Sequence, residues 1–225
     1  MPQSPKQPKA RRIMRPADAH AAQIDAELNQ MLKPDSAVEA NRLCLACGLC
    51  CNGSIFSRVG IEKREVEAIA AIVPVWEQES GDVAFSQPCP AWTEGKCGLY
   101  AVRPGRCASY ICKLQGLVMN GAVSGAAGEK IVDAAVKQAA ALRDRVAAYT
   151  GKEPQALNLR QFHKEFHPKA MKKAKSGELT LMEQTLVREC YLFLKLQDRY
   201  FSETSLIKQY AFILQQIDYF ANGEG

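Results

Sequence analysis

A chain of 225 residues with 47% hydrophobic content is long enough to bury one large core or two small ones, which excludes a wholly disordered polypeptide. The formal charge of +5 sits in the first 16 residues, where Lys6, Lys9, Arg11, Arg12 and Arg15 meet no acid; the other 24 basic residues balance the 24 acidic ones. A neutral body with a short basic end lacks the charged face of a nucleic-acid reader, and the longest tempting uncharged stretch, 15 residues over 114–128 with Gln115, Asn120 and Ser124 inside it, falls short of a membrane span.

Residues 1–16 carry Pro2, Pro5, Pro8 and Pro16 and are expected to be a disordered basic tail. No apolar run follows the basic residues, so the segment does not read as a secretory signal. The expected compartment is the cytoplasm, where thiols stay reduced. Residues 17–40 are expected to be a lead-in helix and linker, with the helix over 17–32 between Pro16 and Pro34 and rich in Ala, Glu, Gln and Leu.

A cysteine-rich module follows over 41–115. Within it, Ile61, Val66, Ile69, Ala70 and Val73 recur at near-helical intervals before Pro74, which predicts a helix over 61–73. Residues 83–87 alternate as a short strand leading into Cys89 and Pro90. The glycine-rich run over 116–128 has no Lys-Ser or Lys-Thr after it, so it is no phosphate-binding loop and reads as a flexible connection.

The remainder, 116–225, is helical by pattern. Val132, Val136, Ala139, Ala140, Leu142 and Val146 mark one face of a helix that Gly151 ends. A second helix over 157–174 is expected to break near Pro168, and two amphipathic helices follow over 181–200 and 205–220. The expected fold is therefore mainly α, with a small irregular cysteine-rich metal-binding module packed on C-terminal helices.

Eight of the nine cysteines, Cys44, Cys47, Cys50, Cys51, Cys89, Cys97, Cys107 and Cys112, lie within 69 residues. The first group is C-x2-C-x2-C-C and the second C-x7-C-x9-C-x4-C. Two intervening residues let a loop curl until both thiolates face one centre, the spacing of zinc knuckles and iron–sulfur proteins. Successive x2 steps suit three corners of a cubane, and Cys89 before Pro90 resembles the Cys-Pro that follows the ferredoxin run. Gly48 suits a tight turn against the centre.

Neighbouring Cβ atoms diverge, so Cys50 and Cys51 should have different roles: ligands to two metals, or one ligand and one thiol beside the site. Eight thiols allow two four-thiolate zinc sites, two iron–sulfur clusters, or one cluster with cysteines to spare. A disulfide scaffold needs an export signal that the pattern does not offer, and mere core packing does not account for chelating spacing.

The ninth cysteine differs. Met182, Leu186, Cys190 and Phe193 share a helical face, which predicts a core thiol. In HKEFH, Lys164 stands where a zinc-protease HExxH needs its acid, so His163 and His167 read as surface or core histidines rather than ligands. Arg103 and Arg106 are candidates to sit beside the thiolates and offset their charge, the alternative being a solvent-exposed Arg-Pro-Gly-Arg turn. Trp92 and Tyr100 are expected to cover the site from water.

CLACGLCC followed by CPAWTEGKCGLYAVRPGRCASYIC resembles the YkgJ-type cysteine-cluster family, described as a zinc- or iron-chelating domain. The positions that carry the resemblance are Cys44, Cys47, Gly48, Cys50, Cys51, Cys89, Pro90, Cys97, Tyr100, Arg103, Pro104, Cys107 and Cys112, about a third of the chain over 41–113. The family usually has Arg directly after the third cysteine of the second group; this chain has Ala108 there and Arg106 one place before Cys107.

The resemblance implies metal chelation, with an iron–sulfur cluster or zinc as cofactor. The x2 steps and Cys89-Pro90 favour the cluster. A related group is similar to flagellin lysine-N-methylases, but no glycine-rich S-adenosylmethionine loop follows a strand here. A metal ion or cluster is thus the expected partner, and a protein partner or substrate is left open, as is enzymatic activity.

Overall fold

The computed structural model describes residues 36–222, so the tail expected over 1–16 and the helix expected over 17–32 lie outside the described residues. The chain is mainly helical, as its periodicity predicts. Helix α1 (Ser36–Cys47) begins in the expected linker and runs into the cysteine motif. Cys44 and Cys47 therefore stand on the last helical turn, not on a curled loop. Three residues apart on a helix, they share a face, and the helix stops where Gly48 takes a φ of 60°.

A small antiparallel sheet follows, with β1 (Arg58–Ile61) and β2 (Val75–Glu77) on either side of β3 (Val83–Ser86). Ile61 pairs with Val83, and Val75 with Phe85. Strand β3 realises the alternation read over 83–87, but the helix expected over 61–73 shrinks to a 3₁₀ turn at Lys63–Glu65 and one turn of helix, α2 (Val66–Ile69). Ile61 is held in the β ladder at the edge of a small core, where Ile69 and Val73, both fully buried, meet Phe85, Ala91 and Leu99. The near-helical spacing reflected burial at those two positions. The module is thus less irregular than expected, since the hairpin of β4 (Trp92–Thr93) and β5 (Lys96–Cys97) adds a second small sheet.

Helices α3 (Gly105–Ser109), α4 (Lys113–Met119), α5 (Gly125–Thr150), α6 (Leu159–Lys175), α7 (Leu181–Tyr200) and α8 (Leu206–Ala221) complete the chain. Most of the run expected as a flexible glycine connection is helical: Gly116 lies in α4, and Gly125 and Gly128 open α5. At Gly128 the reason is close approach, because a Cβ there would stand 2.7 Å from Leu43 Cδ1 of α1.

Helix α6 also continues through Pro168, contrary to the expected break. Leu159, Phe162 and Phe166 are buried before the proline and Ala170 and Ala174 after it, so core packing on both sides holds the two halves in line against a penalty of about 3 kcal/mol. The main core joins these helices to α1 and α4: Leu43, Leu114 and Val118 are buried with Leu142, Leu159, Leu186 and Ile213. Cys190 is fully buried there, as its helical face predicts. Among the described residues, no helix is long and apolar enough to cross a membrane.

Asn158 links the small sheet to the helices. Its Oδ1 accepts from Gln161 N at 2.7 Å and caps α6, while Nδ2 donates to Gln87 O at 2.6 Å and to Phe56 O at 3.3 Å. Asn158→Ala should cost about 2 kcal/mol, roughly half from the lost cap and half from the stranded carbonyl. Asn158→Ser keeps a capping oxygen without the donor and should recover about 1 kcal/mol of it. Urea midpoints of the three proteins give the comparison.

Candidate metal centre

The first four cysteines are set by a helix end and a turn. After Gly48 reverses the chain, Cys51 N and Asn52 N both donate to Gly48 O at 2.9 Å, and Ile55 N donates to Leu49 O at 3.2 Å. Leu49 and Ile55 are buried in the main core, which pins the turn from below. Arg143 of α5 pins it from the side, its Nη2 donating to Asn52 O at 2.7 Å and Ser54 Oγ at 3.1 Å. Arg160 N adds a bond to Gly53 O at 3.2 Å.

The second four arrive from separate elements. Cys89 N donates to Cys51 O at 2.8 Å, and Cys97 stands opposite Trp92 in the hairpin. Cys107 lies on α3, whose first residue, Gly105, donates its N–H to Glu65 Oε1 at 2.7 Å. Cys112 caps α4: its Sγ accepts from Gln115 N at 3.5 Å, and Gln115 Oε1 accepts from Cys112 N at 3.2 Å. Gln115 Nε2 then donates to Ala40 O at 3.3 Å, fixing Cys112 beside the helix that carries Cys44 and Cys47.

Cys44, Cys47, Cys50, Cys51 and Cys112 line one cavity of about 40 Å³, with Tyr110 and Phe201 in its wall. Cys44 is exposed and the other seven clustered cysteines are half-buried. The indole of Trp92 lies on Gly48, where a Cβ would come within 2.6 Å of its Cε2. Tyr100 is exposed, with the Arg103 guanidinium 4.2 Å above its ring, and lines a surface cleft with Cys97. Among the described residues, no three His, Cys, Asp or Glu side chains already stand where they could hold a metal ion.

The electrostatics tie the two halves of the motif together. Burial pushes the Cys47 and Cys51 thiols up to about 12, with Cys112 and Cys44 adding at Cys47, and Cys107, Cys97 and Cys89 adding at Cys51. Cys107 is pushed up to about 11 by burial, then by Cys89 and Cys97. Cys50 rises well above its ordinary value through burial, then through Cys47, Cys51 and Cys112. Without a cation these thiols keep their protons at neutral pH, because each thiolate would be both desolvated and repelled by the next.

A thiophilic metal reverses that preference and releases the protons, so affinity should rise with pH. Arg103 supplies part of the needed charge, favouring the thiolates of Cys44 and Cys107, whereas Arg106 is exposed on α3. By donor chemistry, Cys44, Cys47, Cys50, Cys51, Cys89, Cys97, Cys107 and Cys112 are the side chains from which a metal centre could be drawn, with Arg103 the cation acting on Cys44 and Cys107.

Three residues of the site escaped the sequence reading. Tyr110 lies against the thiols and donates to Phe201 O at 3.4 Å; burial first, and then Cys50 and Cys112, raise its phenol. Phe201 comes from the end of α7 and carries no signal linking it to the motif. Gln115 was findable, because Cys-x-x-Gln before an apolar run has the form of a capping box with sulfur in place of the hydroxyl. His163 and His167 lie on α6, and fully buried His163 has its Nδ1 3.1 Å from Tyr210 Oη, a core position as expected. No protein-family model, curated protein or solved structure matches the chain.

Proposed function

We propose that this protein is a metal-chelating cysteine-cluster protein whose clustered thiols bind an iron–sulfur cluster. The observation that carries the reading is the cavity into which Cys44, Cys47, Cys50, Cys51 and Cys112 all open, although Cys112 comes from a separate helix. Apart from Gln115, its other side chains are apolar or aromatic, which suits a centre that must be kept from water. The x2 steps and Cys89-Pro90 favour a cluster over zinc, and Arg103 offsets the charge that four thiolates bring to such a centre. A bound metal would also stabilise the turns over 48–55 and 87–112, since its binding free energy becomes folding free energy.

Anaerobically purified protein should be brown and contain iron with acid-labile sulfide. Colourless protein holding zinc and no iron would overturn the cluster and leave a zinc-stabilised interaction module. Cys47→Ser should remove at least half of the bound metal under the same purification, as expected when a centre loses one of its ligands. Undiminished metal content in that variant would refute the ligand assignment.

A further inference from the structure

We infer that the eight cysteines form two separate four-thiol metal centres, with Cys44, Cys47, Cys50 and Cys112 around one and Cys51, Cys89, Cys97 and Cys107 around the other. The Cys50–Cys51 peptide then bridges them. The assignment rests on the reading of these cysteines as metal ligands and divides them by where each is anchored.

Cys47, Cys50 and Cys112 pack against the large helical core. Cys89, Cys97 and Cys107 pack against the small core of Ile69, Val73, Phe85, Ala91 and Leu99. The two sets therefore rest on different walls. Cys44 belongs with the first, because it shares the last turn of α1 with Cys47 and opens into the same cavity as Cys47, Cys50 and Cys112. Gln115 binds α1 to the α4 cap and keeps Cys112 at that cavity.

Cys51 lies on the border. It reaches the cavity wall, yet it is not among the thiols packed on the large core, and its carbonyl accepts from Cys89 N at 2.8 Å. On a helix-like turn of this kind neighbouring side chains project about 100° apart, so two adjacent thiols serve two centres more easily than one. Four thiolates complete either a tetrahedral ion or a cubane, and this division leaves none over.

The test counts metal, and sulfide where present, per full-length chain purified anaerobically. Cys107→Ser alone should retain half of the wild-type content. Adding Cys51→Ser, from the same set, should leave that half in place, whereas adding Cys50→Ser, from the other set, should remove it. Equal loss in both double variants would mean a single centre, and the reverse pattern would mean that Cys50 and Cys51 serve the opposite centres; either result overturns the assignment. A wild-type chain without metal overturns the chelation reading itself, and is seen before any variant is made.

Because ligand variants are prone to unfold, the wild-type protein gives a second measurement. Stepwise removal of metal by a chelator, with pulsed alkylation read by peptide mass spectrometry, should expose the thiols as two units of four. Chains that keep half their metal while carrying label on both sets would overturn the division.

Discussion

Gly48→Ala is expected to cost about 3 kcal/mol and to remove most of the bound metal. Two independent terms act at this position. The backbone φ of 60° costs an L-residue about 1 kcal/mol. The new methyl would also enter the Trp92 indole, 2.6 Å from Cε2, and forced repacking of this kind costs about 1 to 3 kcal/mol. The main chain of Trp92 is paired with Cys97 across the hairpin, so a backbone shift that withdraws the ring carries Cys97 with it. Such a shift moves a proposed ligand, and the turn that carries Cys50 and Cys51 hangs from Gly48 O.

A double-mutant cycle separates the terms. Trp92→Leu in the Gly48→Ala background should recover the steric part, about 2 kcal/mol, and leave the backbone part of about 1 kcal/mol. Urea midpoints and metal content are the readouts. A Gly48→Ala protein with wild-type stability and full metal would contradict both the strained turn and the role of Trp92 as its cover.

Gly48 shows how far the sequence could be read. Its place between Cys47 and Cys50 marked a tight turn, and the turn is there. What approaches the turn was not legible, because the indole that forbids a side chain comes from residue 92 by way of a sheet that local pattern barely encodes. The same limit explains the errors at 61–73 and at Pro168. Ile61 was drawn into a ladder by Val83, and Pro168 was overruled by Phe166 and Ala170 on the core side of α6. Local rules gave the long helices of the C-terminal half nearly to the residue, since there the burial period and the element coincide.

The site was legible in its donors and not in its walls. Eight clustered thiols announce themselves by spacing, whereas Tyr110 and Phe201 matter only because the fold brings them to the same cavity. The division of the cysteines between two hydrophobic cores is likewise a property of tertiary packing. Nothing in C-x2-C-x2-C-C separates Cys50 from Cys51; in the fold Cys50 packs on the large core, whereas Cys51 O accepts from Cys89 N.

Acidification from pH 7 to pH 5 should destabilise the helical core by about 2 kcal/mol through His163 alone. This imidazole is fully buried, and burial, with lesser effects from Arg160 and His167, lowers its pKa to about 3. Its Nε2 has no hydrogen-bond partner among the described residues, while Nδ1 is bonded to Tyr210 Oη, which also bonds Cys190. The tautomer that strands no N–H carries its proton on Nδ1, leaving only an acceptor unpaired at Nε2.

In the unfolded chain the ring takes up a proton as pH falls through about 6.5, but in the folded protein it stays neutral until about 3. Between those values the unfolded state binds more protons, so stability falls as pH falls; above about 6.5 the ring is neutral in both states and contributes no slope. The loss is about 1.4 kcal/mol per pH unit across that window. His163→Gln, which does not titrate, should be less stable at pH 7 yet lose about 2 kcal/mol less than the wild type on going to pH 5. Urea unfolding of both proteins at pH 7, 6 and 5 decides it, and parallel pH profiles would show that His163 is protonated in the folded core.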